Sequence, residues 1–392
     1  MKNKNVMFIC SRYPSVGGGI EKVTTYLSSS LVEDGYSVCI VGFDKEKSSS
    51  GYLLPDNQVE VMNTPNGLDD ICSEDNIKFI NSVIDSHNIG TIIFQDSYSP
   101  VYQILYHIDK APKIIVVEHN IPTALIDDKV AEFKETRITN AHSLIRKLLF
   151  PVIYLKNVYQ VKRHHKIMYS LADEYIVLAK AYENTVRRLA GTKDTAGKIH
   201  TINNPLTIER PQNLDLSSKN KEILFVGRLT GQKGVDYLLD IWKLFANEEN
   251  SWILKIVGDG PMKQDMEERI LKENIPNVIL EGNQKDVEKF YKQSSVVLFT
   301  SRFEGWGLVL TEGMAFGNIV MAFDSYGAVH DIIHDGQDGF IIKAFDCKAC
   351  AKKLILLTQN SALRKKMAEN AFKSADRFKM ENILSKWETI IY

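Results

Sequence analysis

Two acidic residues flank a glycine-rich turn in the second half of the chain. Glu304 precedes Gly305 and Gly307, and Glu312 stands eight positions after Glu304. An apolar run at 296–300 predicts a buried strand before this turn, and a helix is predicted after it. Backbone amides at a helix start bind phosphate oxygens, and glycines let the ligand come close. Glu304 would lie near the group attached to the phosphate, and Glu312 would lie near the opposite end of the ligand. This arrangement suits a nucleotide sugar.

Two basic residues lie in a second glycine-flanked turn. Arg228 and Lys233 are five positions apart between Gly227 and Gly234, directly after a predicted strand at 222–226. An arginine offers a bidentate fork and a lysine a point charge, so both could contact one diphosphate. A solvated basic loop is the alternative for these residues alone. The flanking glycines and the acidic segment that follows favour phosphate binding.

Polar residues also follow the predicted strands of the first half. Gly17-Gly18-Gly19 lies between a first strand and a helix that begins near Ile20, and it would allow close approach to a diphosphate or a sugar. The alternative is a flexible turn. The segment is not a dinucleotide-binding fingerprint, because the G-x-G-x-x-G spacing is missing. His119 follows a strand at 113–118 and could contact a sugar hydroxyl or place an acceptor. A purely structural histidine is equally compatible with this position.

Short apolar runs alternate with helical patterns, which predicts parallel sheets built from βαβ units. The predicted strands are 5–10, 37–42, 90–95, 113–118, 174–178, 222–226, 252–257, 277–281, 296–300, 318–323 and 339–342. The predicted helices are 20–34, 74–87, 100–107, 154–171, 234–247, 261–273, 285–292, 308–316 and 346–358. The tail from Ala368 to Tyr392 is also predicted to be helical, with a packing stripe formed by Phe378, Ile383, Trp387, Ile390 and Ile391.

The two series of elements predict two Rossmann-like domains, joined by a polar, turn-rich linker near 202–220. The boundaries are 1–205 for the first domain and 206–372 for the second, with a C-terminal helix at 373–392 that packs back on the first. Each series has a glycine-rich turn after its first strand. Ligands of such sheets bind at the carboxyl ends of the strands, so we expect the two domains to face each other across a cleft that holds the site.

The composition excludes several classes of protein. The net charge of −1 argues against nucleic-acid binding. The five scattered cysteines indicate a reducing compartment, and the lone pair Cys347 and Cys350 lacks the further ligands of a zinc site. The apolar runs at 6–10 and 148–155 are too short for a signal peptide or a membrane span. A cytoplasmic protein without a metal site is therefore expected.

A basic amphipathic stretch at 137–171 predicts a membrane-facing surface. Between Thr136 and Ala172 the chain has seven lysines and arginines and no acidic residue. Apolar and aromatic side chains are interleaved with these cations, as in helices that lie on anionic membranes. The alternative is a helical hairpin with a solvated basic face. The predicted surface comprises Arg146, Lys147, Lys156, Lys162, Arg163 and Lys166.

These segments together resemble the retaining GT-B glycosyltransferases of glycosyltransferase family four. The resemblance rests on the G-R-L-x-x-x-K-G turn at 227–234, the Glu-x7-Glu segment at 304–312 and an Asp-Gly-x-x-Gly-Phe hairpin at 335–340. Gly-Gly-Gly-Ile-Glu at 17–21 fits as well. Many members have a Gly-Gly pair and a glutamate in the loop before Asp331, where this chain has Gly327-Ala328 and an aspartate. The implied fold is GT-B, with an acceptor-binding first domain and a donor-binding second domain.

The resemblance also implies roles for the site residues. Arg228 and Lys233 would hold the donor diphosphate, Glu304 the hydroxyls of the transferred sugar, and Glu312 the ribose hydroxyls. His119 matches a family histidine near the donor sugar. Other donor contacts would come from Gly18, Gly19, Gly282, Asn283, Gly305, Trp306, Gly307 and Leu308. The catalytic set implied in this way is Glu304, His119, Arg228 and Lys233.

The function expected is retaining transfer of a hexose-type sugar to a glycan acceptor in bacterial surface polysaccharide or oligosaccharide assembly. A UDP-sugar is the favoured donor and a GDP-sugar the next. The acceptor is expected to be lipid-linked and the protein peripheral at the inner face of the plasma membrane. No cofactor or metal is expected, since the nucleotide sugar is a substrate. Two alternatives are a sugar-nucleotide epimerase of GT-B fold and a non-catalytic nucleotide-sugar-binding scaffold.

Overall fold

The chain folds into two compact units. The computed structural model describes residues 3–13, 18–43, 59–110, 112–135, 145, 147–249 and 251–392. Unit 1 comprises Met1–Pro205 together with Met380–Tyr392, and unit 2 comprises Leu206–Lys379. The chain therefore returns to unit 1 at Met380, later than the predicted return at residue 373. Each unit has its own hydrophobic core.

Unit 1 is built on a parallel sheet whose strands in the described residues have the order β3-β2-β1-β4-β5-β6-β7. Its strands are nearly continuous buried apolar runs, as is usual for a parallel sheet covered on both faces. They span Asn5–Cys10 (β1), Ser37–Gly42 (β2), Glu60–Asn63 (β3), Thr91–Phe94 (β4), Lys113–Glu118 (β5), Glu174–Val177 (β6) and Ile199–Thr201 (β7). Its helices up to residue 205 are Gly19–Glu33 (α1), Glu74–Ser86 (α2), Ala124–Glu135 (α3), Phe150–Leu171 (α4) and Lys180–Ala190 (α5), with a 3-10 helix at Pro100–His107.

Unit 2 repeats this architecture with a parallel sheet in the order β10-β9-β8-β11-β12-β13. The strands span Glu222–Val226 (β8), Ile253–Val257 (β9), Val278–Gly282 (β10), Val296–Phe299 (β11), Ile319–Asp324 (β12) and Gly339–Lys343 (β13). The helices span Val235–Ala246 (α6), Lys263–Lys272 (α7), Glu288–Gln293 (α8), Leu308–Ala315 (α9), Val329–Ile332 (α10), Cys347–Gln359 (α11) and Ser361–Ser374 (α12), with 3-10 turns at Gly231–Lys233 and Ala375–Phe378.

The last helix, Met380–Ile391 (α13), packs on the core of unit 1. Ile383, Trp387 and Ile391 are buried there. The Lys113 ammonium donates a hydrogen bond of 2.5 Å to the carbonyl of Ile390. The predicted packing stripe is therefore confirmed for this helix, but Phe378 belongs to unit 2, where its carbonyl accepts a hydrogen bond from the Leu206 amide.

The predicted strands and helices are present with small shifts at their ends, although the helix predicted at 100–107 is a 3-10 helix. The sequence analysis missed β3, β7, α3, α5, α10 and the first half of α12. Helix α5 could have been predicted from the sequence, because its buried residues Tyr182, Val186 and Leu189 are spaced as on one helix face. The hairpin predicted at 335–340 is wrong: Asp335 and Gly339 form a parallel bridge, and β13 pairs in parallel with β12. The segment at 335–340 therefore leads into a strand that runs parallel to β12, and it does not connect two antiparallel strands.

Candidate functional site

Glycines bring together the loops that follow β8, β9 and β10 in unit 2. The Gly258 amide donates to the carbonyl of Gly282 at 2.8 Å, and the Gly227 amide donates to the carbonyl of Val257 at 3.0 Å. A Cβ atom at Gly258 would lie 1.9 Å from the carbonyl oxygen of Gly227, so a side chain there would force the two loops apart. Gly282, predicted near a base, thus lies at the same sheet edge as the basic turn, with Asn283 exposed beside it.

The basic turn is fastened to the loop after β11. Gly234 has a φ of +62°, and a Cβ atom there would lie 2.1 Å from the carbonyl oxygen of Thr300. Only glycine combines this left-handed backbone with such a close approach. The Thr300 hydroxyl donates to the carbonyl of Lys233 at 2.9 Å. The side chain of Lys233 therefore starts from a fixed backbone position.

Lys233 and Glu304 form an ion pair between the two turns that the sequence analysis singled out. Their side chains are 22% and 13% exposed, respectively, and the Lys233 ammonium also lies 5.6 Å from the ring centre of Phe299. Arg228 is exposed, and among the described residues its side chain has no hydrogen bond or ion pair. The site thus presents one paired and one unpaired cation.

Arg302, which the sequence analysis did not select, holds the acidic segment against the basic turn. Its guanidinium donates to both carboxylate oxygens of Asp236 at 3.0 and 2.9 Å and to the carbonyl of Gly231. Its amide donates to the carbonyl of Gln232 at 2.7 Å. A bidentate arginine–carboxylate pair fixes orientation as well as distance. This contact positions the loop that carries Glu304.

The segment 305–308 forms the turn into α9. Gly305, Trp306 and Gly307 are buried, and Gly307 has a φ of +103°. Leu308 begins α9, whose first turn contains no acidic residue. The Trp306 ring meets Phe378 edge-on at 5.4 Å between centroids, and its buried indole N–H has no hydrogen-bond partner within the described residues. The first turn of α9 therefore offers backbone N–H donors, and it has no carboxylate of its own that would compete for them.

Glu312 is buried, and both of its carboxylate oxygens are held by side chains. The Thr207 hydroxyl donates to Oε1 at 2.9 Å, and the Tyr291 hydroxyl donates to Oε2 at 2.8 Å. Burial and the neighbouring carboxylate raise the pKa of Tyr291 well above its usual value, so the phenol stays a donor. A carboxylate has about four lone-pair positions, so these bonds leave acceptor capacity. Thr207 and Tyr291 had no signal in the sequence, because they are distant from Glu312 along the chain.

In unit 1, His119 lies at the carboxyl end of β5 beside the end of β4. Its Nε2 contacts the side-chain amide oxygen Oε1 of Gln95, and burial lowers the pKa of His119 to about 4. The imidazole is therefore neutral at pH 7, with Nε2 as donor and Nδ1 as acceptor. Within the described residues Nδ1 has no hydrogen-bond partner. Gln95 is buried and its amide nitrogen has no partner there.

Glu118 begins a buried hydrogen-bonded chain directly behind His119. Its Oε2 lies 3.0 Å from the Tyr175 hydroxyl, which lies 3.2 Å from His165 Nδ1. His165 Nε2 lies 2.8 Å from the carbonyl oxygen of Pro122 and must donate to it. The Tyr175 hydroxyl donates to Glu118 Oε2, and the unprotonated Nδ1 of a neutral His165 lies beside the same hydroxyl. Burial raises the pKa of Glu118 to about 8 and lowers that of His165 to about 4, which agrees with this neutral arrangement.

The glycine turn of unit 1 is described from Gly18 onward, and Gly17 lies outside the described residues. Gly18 is the N-cap of α1 and Gly19 is its first residue. The carboxylate of Glu21 folds back onto Gly18, where a Cβ atom would lie 2.4 Å from Oε2. Burial raises the pKa of Glu21. The helix start thus already has an acidic partner from its own first turn, as in a capping box.

Helix α4 carries most of the predicted membrane surface. Val161, His165 and Met168 are its buried residues. The opposite face is exposed, with apolar residues in its first half and cations in its second half: Val152, Leu155, Tyr159, Lys162, Arg163 and Lys166. Lys156 is also exposed, Lys147 lies 5.6 Å from the ring centre of Phe133, and Arg146 falls outside the described residues.

The structure brings the predicted residues of unit 2 to one sheet edge, namely Arg228, Lys233, Gly282, Asn283, Glu304 and the start of α9. In unit 1 it places His119 at the carboxyl edge of the sheet. Among the described residues there is no group of three or more His, Cys, Asp or Glu side chains that could hold a metal ion. Within the same part of the chain, no helix is long and apolar enough to cross a bilayer.

Comparison with known proteins assigns this architecture. A sequence model of the family described as glycosyl transferases group 1 matches residues 207–374. The amylovoran biosynthesis glycosyltransferase AmsD of Erwinia amylovora is 30% identical over 234 residues, which are 59% of this chain and 65% of that protein. A Campylobacter jejuni α-1,4-N-acetyl-D-galactosaminyltransferase, named for a PP-undecaprenol-linked glycan, is 28% identical over 58% of this chain and 62% of its own length. The chain therefore matches less than two thirds of the length of each of these relatives.

A structural comparison covers the whole chain. The pneumococcal O-GlcNAc transferase GtfA, in complex with UDP and GlcNAc, matches with a TM-score of 0.74 and 16% identity. The match covers 100% of this chain and 99% of that one. At this identity the match establishes the fold. The prediction of a GT-B fold with two Rossmann-like units is confirmed.

Proposed function

We propose that this chain, whose residues 207–374 match the model of the glycosyl transferases group 1 family, is a retaining glycosyltransferase that uses a nucleotide sugar. The observation that carries this proposal is the sheet edge of unit 2, where Lys233 pairs with Glu304 beside the unpaired Arg228 and the start of α9. A cationic and amide-rich edge suits a diphosphate. A UDP-sugar is the favoured donor, with a GDP-sugar next.

Each site residue has a role in this proposal. Arg228 and Lys233 bind the donor diphosphate, together with the backbone amides of 305–308. Glu304 accepts hydrogen bonds from hydroxyls of the transferred sugar, and the lone pairs of Glu312 not used by Thr207 and Tyr291 accept from the ribose. Gly18, Gly19, Gly282 and Asn283 complete the donor contacts.

The chemistry follows from positioning and charge. The acceptor hydroxyl attacks the anomeric carbon from the face that the nucleotide leaves, the bond to the diphosphate breaks, and the leaving phosphate takes the proton of the acceptor. Arg228, Lys233 and the α9 amides stabilise the charge that develops on the diphosphate. Because protein cations supply this stabilisation, we propose that no metal is needed. Glu304 and Glu312 are not a glycosidase pair, because that chemistry needs both carboxylates at one glycosidic bond.

We assign acceptor binding to unit 1, and we propose a lipid-linked glycan as the acceptor. His119 is neutral and presents Nδ1 as an acceptor for a sugar hydroxyl. The exposed face of α4, apolar and then basic, supports binding to an anionic membrane surface. The Campylobacter relative, named for a PP-undecaprenol-linked glycan, is consistent with a bacterial surface glycan as product.

The first experiment is a thermal-shift screen with UDP, GDP, ADP and their sugar conjugates. A ligand that binds the native state raises the apparent melting temperature, so one nucleotide should produce a shift that Lys233→Met and Glu312→Gln both reduce. An exposed lysine variant, Lys352→Met, serves as the control. If no nucleotide or nucleotide sugar stabilises the protein, the donor-site assignment is wrong.

Turnover then separates the alternatives. Incubation of the shifting donor with a lipid-linked acceptor extract and EDTA should release the nucleoside diphosphate and yield a glycoside with the donor's anomeric configuration, observable by NMR. Appearance of an epimerised sugar would favour the epimerase, and tight binding without turnover would favour the scaffold. A strict requirement for Mg²⁺ would contradict the metal-independent mechanism.

A further inference from the structure

A pocket lies in unit 2 at the amino ends of the strands, on the sheet edge opposite the carboxyl ends that carry the proposed donor site. It has a volume of about 430 Å³, within the usual range for small-molecule sites. Lys221, Trp252 and Ser295 line it, and each directly precedes a strand of the parallel sheet. The rest of the wall comes from Leu216, Ser217, Lys219 and Asn220, from the start of β12 and from the first turns of α12. None of the residues proposed to bind the donor lies in this pocket.

The lining of this pocket is strongly basic. It contains Lys219, Lys221, Arg364 and Lys365 and no acidic residue. In the described part of the chain, none of these four side chains forms an ion pair. Lys221 donates to the Ser251 hydroxyl at 3.2 Å, and Arg364 donates to the carbonyls at the end of α11, both of them neutral partners. The wall of the pocket therefore has concentrated positive charge without a compensating carboxylate.

Two of these cations are destabilised by burial. Desolvation lowers the pKa of Lys219 to about 7 and also lowers the pKa of Arg364. The Lys219 ammonium donates to the carbonyl of Tyr291 at 2.7 Å. The nearest acidic influence is Asp215, whose carboxylate is already bonded to the amide and hydroxyl of Ser217. A half-buried cation without an anionic partner is costly, and an anion bound in the pocket would remove this cost.

We infer that this pocket binds a small molecule with a phosphate or diphosphate group, separately from the donor. The four cations supply charge, and the side chains of Ser217, Asn220, Ser295 and Ser361 that line the same space supply neutral hydrogen-bonding groups for the rest of the ligand. The Arg364 guanidinium lies 5.5 Å from the ring centre of Trp252, a cation–π contact that helps to hold it in place. Binding in this pocket does not depend on the donor assignment, whereas the effector role described next rests on it.

The pocket also contacts the residue that anchors Glu312. Lys219 bonds the backbone of Tyr291, and the hydroxyl of the same tyrosine bonds Glu312 at 2.8 Å. An anion that pairs with Lys219 acts one residue away from the acid proposed to bind the ribose. The phosphorylated ligand is therefore placed to act as an effector of donor binding, and any such coupling must be reciprocal.

The test uses the full chain with the donor cations removed, Arg228→Met with Lys233→Met, so that binding at the donor site does not interfere. Inorganic pyrophosphate and a hexose 1-phosphate are the probes, measured by isothermal titration and thermal shift. We expect saturable binding of one equivalent. Adding Lys219→Met and Lys365→Met should weaken this binding at least tenfold, and the matched pair Lys272→Met and Lys352→Met, which removes the same charge elsewhere, should leave it unchanged.

A second variant distinguishes a specific loss of binding from misfolding of the pocket. Ser217→Glu and Lys365→Glu add acids at exposed positions of the wall and should abolish binding while circular dichroism and the melting temperature without probe remain those of the parent. Equal binding in parent and pocket variants, or no binding of either probe, would overturn the inference. These outcomes are independent of whether the wild-type protein binds UDP.

Discussion

Lys233 and Glu304 form an ion pair that joins the turn after β8 to the turn after β11. The cation proposed to bind the diphosphate is thus held by the acid proposed to bind the transferred sugar. An ammonium group has three donors, so the pair orients Lys233 without exhausting it. Phosphate and sugar recognition are therefore coupled through a single contact in unit 2.

This pairing predicts different effects for the two residues. Lys233→Met should weaken UDP binding by about ten- to a hundredfold, because a charge-assisted hydrogen bond to phosphate is lost. Glu304→Gln should leave UDP binding within about threefold of wild type but remove the additional affinity of the nucleotide sugar. Isothermal titration with UDP and the UDP-sugar measures both. A loss of UDP binding in Glu304→Gln as large as that in Lys233→Met would argue against separate roles.

The hydrogen bonds to Glu312 predict a role for Thr207 and Tyr291 in ribose binding. Thr207→Val and Tyr291→Phe each remove one donor to the carboxylate, so each should weaken UDP binding by about tenfold through loss of orientation. The loss should disappear with 2′,3′-dideoxy-UDP, which lacks the hydroxyls that Glu312 is proposed to bind. Thr358→Val, at a threonine in α11, is the control. An equal loss with both nucleotides would show that the two substitutions act on the fold.

The buried chain from Glu118 to His165 predicts how stability depends on pH. The pKa of Glu118 is raised to about 8 in the folded protein, so the folded state holds a proton that the unfolded chain releases near pH 4.5. The contribution of Glu118 to stability should therefore fall as pH rises from about 5 to 8, by on the order of a few kcal/mol, and this fall should dominate above about pH 6.5, where the buried histidines no longer titrate. Glu118→Gln keeps an oxygen that can accept from Tyr175 but cannot ionise, so it should flatten this dependence.

Thermal unfolding between pH 5 and 9 measures the effect of Glu118→Gln, with Glu381→Gln as an exposed control in the same unit. His165 acts at the other end of the range: its pKa is lowered to about 4, so its contribution to stability is lost as pH falls from about 6.5 to 4. A Glu118→Gln variant with the same slope as wild type above pH 5 would mean that Glu118 is already ionised in the fold.

The exposed face of α4 predicts binding to anionic vesicles. Replacing Lys156, Lys162, Arg163 and Lys166 with glutamine should weaken binding at least tenfold, because each cation near an anionic surface contributes about 1 kcal/mol. Cosedimentation with phosphatidylglycerol vesicles measures this, with phosphatidylcholine vesicles for comparison. Replacing four exposed lysines of unit 2, Lys272, Lys285, Lys352 and Lys366, is the charge-matched control. Unchanged binding in the α4 variant would show that the basic face of α4 is only a solvated surface.

Gly234 and Gly336 form a matched pair for testing the backbone contact under Lys233. Both have left-handed φ values, +62° and +73°, but a Cβ atom at Gly234 would meet the Thr300 carbonyl at 2.1 Å whereas nothing lies within 4 Å of one at Gly336. Gly336→Ala should cost about 1 kcal/mol from backbone strain alone. Gly234→Ala should cost more than twice as much in urea unfolding and should also weaken UDP binding. If both substitutions lowered the free energy of unfolding equally, the turn at Gly234 and the loop at Thr300 would separate without penalty.

The sequence by itself determined the fold class and the edge of unit 2 where chemistry is proposed. Buried parallel strands are continuous apolar runs, and the turns at 227–234 and 304–312 follow two of them directly, so short-range patterns were sufficient. The same patterns could not distinguish a hairpin from a parallel connection at 335–340, because strand pairing depends on which partner lies beside the strand.

Only the tertiary structure decided which side chains meet. Thr207 and Tyr291 hold Glu312 from positions far away in the chain, and Tyr175 and His165 reach Glu118 in the same way. The basic pocket at the amino edge combines the linker with α12. Spacing along a sequence predicts local structure, whereas these contacts depend on how strands and helices far apart in the chain are packed, and that information is absent from any single segment.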